Sequence, residues 1–266
     1  MARLKARDGR DPRELAAMDI NVHLNDKVLK RKYVATVFDV IAPGYNSFTR
    51  LFSLGRDRGW KDLLVTEGAR RAAKRPIIVD LACGTGDLGT RLARRADARL
   101  AVGFDFSLQM LTEANACMRN TDADLMLVAC DVLDLCLREN SVDVVSIGYG
   151  LRNTVDVRVA LRECARVIRP GGILLNLDFY KPVGELWREI FLWYLWNAGR
   201  VAGWLWHREP LAYGYLAPSI RRYLTMAELE RELRRIGFEV EWRASRLGGG
   251  IGLHVARLVG AHAVCS

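Results

Sequence analysis

The chain has 266 residues, of which 50% are hydrophobic and 27% are charged, and its formal net charge is +9. This length suits one large α/β domain or two small ones, and the composition excludes a disordered chain, a collagen-like repeat and a small disulfide scaffold. The positive charge lies at the two ends, where residues 1–35 and 200–266 each carry a net charge of +4. Nucleic-acid-binding proteins usually concentrate charge on one face, so we predict no nucleic-acid partner. The excess favours solubility or attraction to an anionic membrane surface.

The cysteines and the start of the chain indicate its redox state and location. The six cysteines are scattered without a C-x-x-C pair or metal-ligand spacing, so we predict reduced thiols and no metal. The N-terminus lacks the apolar core of a secretory signal, and its acidic residues argue against a mitochondrial transit peptide. We therefore predict a cytoplasmic protein, with peripheral attachment to the inner face of the cell membrane as an option.

The N-terminal part of the chain is expected to be helical after a loose start. Residues 1–33 are polar and predict a basic arm, and residues 34–75 predict a helical cap. The cap begins with apolar residues at helical spacing, namely Val34, Val37, Phe38 and Ile41, and a second helical stretch covers about 60–73.

From Ile77 onward, strand-like and helix-like segments alternate. The predicted strands are Ile77–Ala82, Leu100–Phe104, Leu125–Ala129, Val142–Ile147 and Ile173–Leu177, and the helices between them cover about 87–96, 108–118 and 156–168. Pro170-Gly171-Gly172 is expected to end the last of these helices before the next strand. The alternation predicts an α/β fold with a mostly parallel sheet and helices on both faces.

After Asp178 the pattern changes. Residues 183–224 are rich in Trp and Tyr without a clear strand, and they predict a helical aromatic lid over the carboxyl ends of the strands, where open α/β sheets bind ligands. Thr225 and Glu228 form a capping box for a helix that ends near Gly237. Two further strands, Phe238–Trp242 and Ile251–Val259, complete a seven-stranded domain over residues 34–259, with 260–266 as a tail.

A glycine-rich loop follows the first predicted strand. Gly84, Gly86 and Gly89 match G-x-G-x-x-G, so a dinucleotide site must be weighed against other nucleoside cofactors. A pyrophosphate at the start of a helix requires N–H donors without nearby carboxylates, yet Asp80 and Asp87 flank this loop. S-adenosylmethionine carries a sulfonium and an ammonium but no phosphate, and carboxylates attract both cations. We therefore predict S-adenosylmethionine as the cofactor and S-adenosylhomocysteine as its product, ahead of NAD.

The positions of residues in the glycine loop and after the predicted strands suggest their roles at the cofactor site. Asp80, Gly84, Thr85 and Gly86 are predicted to surround the methionine end, and Asp105 is predicted to bind both ribose hydroxyls. Further cofactor contacts are expected from residues after the second, third and fourth strands, namely Phe106, Met110, Asp131, Val132, Gly148 and Tyr149. Asp131 is placed either to accept from the adenine amino group or to be a surface turn acid. Cys83 is expected to be a small residue in a tight turn.

Several longer motifs resemble the ubiquinone/menaquinone biosynthesis C-methyltransferases, a family of class I S-adenosylmethionine-dependent methyltransferases. The resemblance extends from about Val22 to Val259, and its motifs are Tyr45-Asn46, Ser53-Leu54-Gly55, Trp60-Lys61, Leu81–Asp87, Gly150–Asn153 with Asp156, Leu177–Pro182, Tyr213–Ile220 and His254. It implies a Rossmann-like fold and cofactor contacts at Thr85, Asp105, Asp131, Val132 and Gly148. It also implies a prenylated quinol as the methyl acceptor.

Two departures from the family pattern leave the exact acceptor open. Asn46 stands where the family has Asp, and Ala217-Pro218 replaces an acidic-polar pair. An alternative is therefore a related methyltransferase for another lipidic or aromatic acceptor, such as a phospholipid headgroup. A second alternative is an accessory subunit that binds the cofactor without turnover.

Transfer to a ring carbon requires the neighbouring hydroxyl to lose its proton, which calls for a cation and a base. Arg152 is predicted to stabilise the phenolate, with an ion pair to Asp156 as the structural alternative, and Asn153 is predicted to orient the oxygen or a water. Tyr45 and Tyr149 are placed to line the substrate side or carry a proton. His254 is the titratable candidate near neutral pH, although a lone histidine is more often structural.

The aromatic lid carries five of the seven tryptophans between residues 187 and 206. Its longest apolar run is far shorter than the ~20 residues that span a bilayer, but Trp side chains with neighbouring arginines suit a membrane interface. We therefore predict a lid that admits a lipophilic acceptor while resting on the membrane. A buried core helix or a contact in a homodimer or a quinone-biosynthesis complex remains open.

Overall fold

The computed structural model describes residues 18, 20–53, 55–119, 124–207 and 214–260 of the chain. These residues form a seven-stranded sheet in the order β3-β2-β1-β4-β5-β7-β6. The strands are β1 (Ile77–Leu81), β2 (Leu100–Asp105), β3 (Met126–Ala129), β4 (Val142–Gly148), β5 (Ile168–Phe179), β6 (Phe238–Arg246) and β7 (Ile251–Leu258). The first five strands run parallel, and β7 lies antiparallel to both β5 and β6. The predicted α/β fold with a mostly parallel sheet is confirmed.

The helices precede, connect and follow the strands. They are α1 (Ile20–Asn25), α2 (Lys27–Ile41), α3 (Tyr45–Phe52), α4 (Asp57–Arg71), α5 (Asp87–Arg95), α6 (Leu108–Met118), α7 (Val157–Val167), α8 (Glu185–His207), α9 (Leu216–Arg222) and α10 (Met226–Ile236). The predicted capping box at Thr225 is present, and Gly237 ends α10 in the left-handed conformation that glycine adopts without strain. None of the described helices is long and apolar enough to cross a membrane.

The sheet separates two apolar cores because side chains of a strand alternate between its faces. On β5, Ile173, Leu175 and Leu177 pack with helices α2 to α5, whereas Leu174 packs with α7 and α10. Helices α2 to α4, which precede the first strand, therefore cover the sheet face of Leu175 and extend to the carboxyl ends of the parallel strands.

The prediction of a loose arm over residues 1–33 is wrong where the structure describes the chain, and residues 1–17 lie outside the described part. Helix α2 begins seven residues before the predicted start at Val34, because Asp26 caps it by accepting the N–H of Leu29 at 2.9 Å. Tyr33 is buried at 1% exposure, so this part of the helix packs on the domain.

The predicted stop at Pro170-Gly171-Gly172 also needs correction. Helix α7 ends at Val167, and β5 begins directly at Ile168. The Pro-Gly-Gly segment lies within β5 at a register shift, where Val142 pairs with Ile168 but Val144 pairs with Ile173. Gly171 has φ +82°, so these residues form a bulge in the strand rather than the end of a helix.

Candidate active site

Three adjoining cavities lie at the carboxyl ends of β1, β2, β4 and β5. The first, called the loop cavity, encloses about 720 Å³ of open space beside the glycine loop. The second, called the aromatic cavity, has about 420 Å³ and shares Phe38, Tyr45 and Tyr149 with the first. The third, called the polar cavity, shares Arg152 with the aromatic cavity and is lined by Lys30, Ser219 and Tyr223. The turn at residues 149–155 lies where all three meet.

Ten of the predicted site residues line the loop cavity. They are Tyr45, Gly84, Asp105, Phe106, Met110, Asp131, Val132, Gly148, Tyr149 and Asn153. The side chains come from different strand ends and from the cap, and the parallel sheet brings these ends to one edge. Of the remaining predicted residues, Arg152 lines the aromatic and polar cavities, whereas Asp80, Thr85, Gly86 and His254 line none of the three.

The glycine loop turns sharply to begin α5. Gly84 has φ +55° and Gly86 has φ +77°, which are left-handed conformations that favour glycine. A side chain on Gly84 would lie 3.7 Å from the Tyr45 ring, on the cavity side of the loop. The loop therefore presents bare backbone to a ligand, as the sequence predicted for Gly84.

Asp80 supports the loop from behind instead of touching the cavity. Its carboxylate accepts the N–H of Gly89 at 2.9 Å and the hydroxyl of Ser146 at 2.6 Å. Burial raises the pKa of Asp80 to about 7. A Cβ on Gly89 would lie 2.8 Å from this carboxylate, so the glycine is required for the close approach. Asp80 is a positioning residue, and its predicted direct contact with the cofactor is not supported.

The structure also changes the prediction that Asp87 repels a phosphate at the glycine loop. Asp87 forms ion pairs with Lys61 at 3.0 Å and with Arg91 at 2.6 Å, and these cations hold its pKa below the usual value despite burial. Its charge is therefore compensated within the protein, and the predicted repulsion of a phosphate by two free carboxylates was wrong. The carboxylates that line the loop cavity are those of Asp105 and Asp131.

Asp105 ends β2 at the floor of the loop cavity. Its two oxygens accept the N–H of Gly84 at 2.8 Å and the N–H of Ser107 at 2.9 Å. Burial raises its pKa to about 6, although both N–H groups favour the charged form. The carboxylate thus joins the glycine loop to the start of α6 and keeps lone pairs for hydroxyl groups of a ligand.

Thr85 and Gly86 do not line the loop cavity, although the sequence predicted both at the cofactor site. The Thr85 hydroxyl donates to the side chain of Asn46 at 2.8 Å, and both loop residues border a separate cleft that is also lined by Asp87 and Arg91. The predicted contact of the Thr85 side chain with the methionine end and the predicted close approach of the Gly86 backbone are therefore not supported. Asn46, one of the departures from the family pattern, holds Thr85 in this position.

Sequence reasoning missed Arg31 because it placed this residue in the arm. Arg31 lines the loop cavity, and its guanidinium lies 2.7 Å from a carboxylate oxygen of Asp131. Asp131 also accepts the N–H of Leu133 at 2.9 Å, which is the contact expected of a turn acid, so its role at the cofactor stays a prediction. The helical spacing that begins at Val34 could have been extended backward to include Arg31, since it lies three residues before Val34.

Arg152 lies between the aromatic and polar cavities. Its guanidinium forms a buried ion pair with Asp178, donates through Nε to Ser219 at 3.1 Å, and lies 5.5 Å from the centre of the Phe179 ring. Asp156 is not its partner, because that carboxylate caps α7 and pairs with Lys27 at 2.8 Å. The ion pair predicted between Arg152 and Asp156 is therefore wrong, because the partner of Arg152 is Asp178.

The turn around Tyr149 is held by hydrogen bonds on both sides. Tyr149 has φ +60°, a strained conformation for a residue with a side chain, and its N–H donates to the Leu177 carbonyl at 2.7 Å. Asn153 donates to the Tyr149 carbonyl at 2.9 Å and accepts the Tyr215 hydroxyl at 3.2 Å. Asn153 therefore orients Tyr215, which lines the aromatic cavity.

His254 lies away from the three cavities. It is 1% exposed in β7, opposite Asn176, with Nδ1 3.4 Å from the Tyr180 hydroxyl and Nε2 3.5 Å from Glu230. Its side chain shares a sheet face with α10 and Glu230. The predicted catalytic role is contradicted by this placement, because sequence order cannot show on which face of the sheet a strand residue lies.

Comparison with known proteins assigns the chain to a family. The model of the ubiE/COQ5 methyltransferase family matches residues 26–257. The chain belongs to this family. It is therefore an S-adenosylmethionine-dependent methyltransferase.

Two curated relatives and one solved structure illustrate the similarity. A demethylmenaquinone methyltransferase of Corynebacterium urealyticum is 36% identical, over 83% of this chain and 92% of that protein. A 2-phytyl-1,4-naphtoquinone methyltransferase of Nostoc punctiforme is 34% identical, over 84% of this chain and 96% of that protein. The fold is similar to that of an S-adenosylmethionine-dependent methyltransferase from Aquifex aeolicus, with a TM-score of 0.57 and 14% identity over 80% of this chain and 98% of that one.

Family membership supports the predicted fold and cofactor even though one argument for the cofactor failed. The methyltransferase has no cluster of three metal-ligating side chains among its described residues. The residues of the loop cavity fit a nucleoside cofactor, since Gly84 offers bare backbone and Asp105 offers a carboxylate at the end of β2.

Proposed function

We propose that this methyltransferase transfers the methyl group of S-adenosylmethionine to a ring carbon of a prenylated quinol. The observation that carries the proposal is the aromatic cavity, which joins the cofactor side through Phe38, Tyr45 and Tyr149 and contains one buried cation, Arg152. Apolar walls suit a prenylated ring, and the cation suits a phenolate. A naphthoquinol is the first candidate acceptor, because the two curated relatives are named for naphthoquinone-type substrates.

The loop cavity is the proposed site of the cofactor. Asp105 accepts hydrogen bonds from the ribose hydroxyls, and Phe106 and Met110 form walls for the adenine ring. Asp131, held by Arg31, lies at the same cavity and accepts from the adenine amino group. S-adenosylmethionine supplies an electrophilic methyl group, so the reaction requires no metal, and S-adenosylhomocysteine is the product.

The chain contributes orientation and electrostatic stabilisation. Holding the acceptor ring in line with the methyl group can supply about 7–11 kcal/mol of the barrier reduction. Asp178 and Ser219 hold the Arg152 guanidinium in place. Asp178 compensates its charge, so the proposed stabilisation of a phenolate comes from N–H groups of Arg152 that donate from a fixed position. Tyr45 and Tyr149 lie where the two cavities meet and set the distance between acceptor and cofactor.

The acceptor assignment is tested with the purified protein and deuterated-methyl S-adenosylmethionine. A chemically reduced 2-prenyl-1,4-naphthoquinol, a prenylated benzoquinol and phosphatidylethanolamine vesicles are offered separately. We expect mass spectrometry to show one labelled methyl group on a ring carbon of the naphthoquinol. Label on the phospholipid headgroup without label on either quinol would contradict the proposal and favour the lipid-headgroup alternative.

We also propose that α8 rests on an anionic membrane, from which the acceptor enters. Leu186, Ile190, Trp193 and Val201 lie along one side of α8 at helical spacing and are 78%, 48%, 68% and 57% exposed. An apolar stripe exposed to water is unfavourable unless something covers it. Arg200 is exposed on the same side of α8 and adds a basic group beside this stripe.

A flotation assay with phosphatidylglycerol vesicles tests the membrane contact. We expect the wild type to float with the vesicles at low salt and the Trp193→Glu variant to remain in the soluble fraction. Leu108→Glu is the matched control, because Leu108 is 67% exposed on α6 and outside the stripe. A wild type that stays soluble and sediments as a dimer would assign the stripe to a second copy instead.

A further inference from the structure

The polar cavity provides a second environment on the far side of Arg152. It has about 500 Å³ of open space, and its wall includes Lys30, Arg152, Ser219 and Tyr223. The Tyr223 hydroxyl is buried and has no hydrogen-bond partner among the described residues. A buried hydroxyl normally bonds to protein or to ordered water, so this cavity is suited to hold water against Arg152.

Lys30 is fixed in this cavity by two backbone carbonyls. Its Nζ donates to the carbonyl of Thr154 at 2.5 Å and to that of Arg152 at 3.3 Å. A neutral amine has two N–H donors and one lone pair, so these two carbonyls leave the lone pair free for water. The contacts therefore hold a neutral amine as well as an ammonium group.

We propose that Lys30 accepts, through water in the polar cavity, the proton that the acceptor hydroxyl loses on the other side of Arg152. This inference rests on the proposed function, because only an aryl acceptor needs that proton removed. Arg152 is the residue common to the aromatic and polar cavities and lies between them. The proposed transfer therefore requires water beside its guanidinium to link the two spaces.

The electrostatic surroundings of Lys30 agree with this role. Burial and, to a smaller extent, the charge of Arg152 lower its pKa to about 8, and Asp156 opposes both effects. The other charged groups nearby are engaged elsewhere, since Lys27 pairs with Asp156 and Arg31 pairs with Asp131. Arg222 and Tyr223 of the α9 segment also face the polar cavity. A substantial neutral fraction is thus present at mildly alkaline pH.

The proton step balances within this arrangement. The acceptor O–H bond breaks, its electron pair stays on the oxygen as a phenolate beside Arg152, and a new N–H bond converts the Lys30 amine to an ammonium group. The ring carbon then forms its bond to the methyl group as the sulfonium S–CH3 bond breaks, with the electron pair of that bond staying on sulfur. The ring carbon releases its own proton to water, and the product oxygen regains one proton from water, so one proton is released overall. Lys30 returns its proton to bulk water, so no oxidant or further reactant is needed.

The alternative is that Lys30 is only structural and connects α2 to the turn after β4 through its two hydrogen bonds. Lys30→Arg separates the two readings, because arginine can still donate to both carbonyls but stays protonated at every accessible pH. Lys27→Met is the matched control, since Lys27 lies on the same helix, one turn away, and pairs with Asp156 outside the cavity.

The experiment combines a pH profile with direct titration of the amine. We expect wild-type kcat for the 2-prenyl-1,4-naphthoquinol to rise with pH and level off above about 8, as Lys30 becomes neutral. Lys30→Arg is expected to lose this rise and about 100-fold in kcat, while its affinity for S-adenosylhomocysteine stays unchanged. Competitive acetylation followed by mass spectrometry is expected to give Lys30 a midpoint of about 8.

Each contrary result has a distinct meaning. A Lys30 acetylation midpoint at the ordinary lysine value of 10.5, or a Lys30→Arg variant with wild-type rate and pH profile, would overturn the proton-acceptor role and leave the quinol assignment standing. A wild type that methylates no quinol at any pH would overturn the proposed function, and this inference with it.

Discussion

Replacing Asp105 with alanine is expected to weaken binding of S-adenosylhomocysteine about 1000-fold. Two hydrogen bonds to a charged carboxylate are together worth about 3–6 kcal/mol, and the variant loses both proposed ribose contacts. It also leaves the N–H groups of Gly84 and Ser107 without their present acceptor. Isothermal titration calorimetry with the purified variant measures the change directly.

The pH dependence of cofactor binding gives an internal check on Asp105. Ribose hydroxyls donate to the carboxylate, so the group must be deprotonated to bind them. Because its pKa in the free protein is about 6, we expect wild-type affinity to fall as the pH drops below 6 and Asp105→Asn to lack this dependence. Asp97→Ala, at a turn remote from the loop cavity, serves as the control. An Asp105→Ala variant with wild-type affinity would refute the ribose assignment.

Replacing Arg152 with methionine is expected to reduce kcat about 1000-fold and to destabilise the fold. The first effect follows because the phenolate loses its cation in a buried site. The second follows because Asp178, at 0% exposure, is left without its charged partner, which typically costs about 3–5 kcal/mol. Turnover of the naphthoquinol and urea unfolding monitored by circular dichroism measure the two effects separately.

A double variant distinguishes the catalytic role of Arg152 from its structural one. Arg152→Met with Asp178→Asn removes the uncompensated charge, so most of the lost unfolding free energy is expected to return. Turnover is expected to stay low, since the cation is still missing. Recovery of turnover together with stability would show that Arg152 acts only as the partner of Asp178.

The outline of the fold could be predicted from the sequence because its signals are local. Strands β1 to β4 are apolar runs of four to seven residues, and hydrophobic periodicity reports burial of each segment without knowledge of its neighbours. The glycine loop at Gly84 and the acid at Asp105 could be located for the same reason, since residues after parallel strands share one edge. The helical start at Lys27 was missed because the capping residue Asp26 lies within a polar stretch.

The sequence by itself determined the order of the strands along the chain, the glycine loop and the family motifs, all of which are encoded in neighbouring residues. Only the tertiary structure decided which charges remain available at the site. Asp87 is neutralised by Lys61 and Arg91, Arg152 pairs with Asp178 instead of Asp156, and Lys30 and Arg31 reach the cavities from the N-terminal helix. His254 was placed at the site by its motif but lies in the sheet beside Glu230. Electrostatic partners and strand faces depend on contacts between distant parts of the chain, and local patterns do not contain that information.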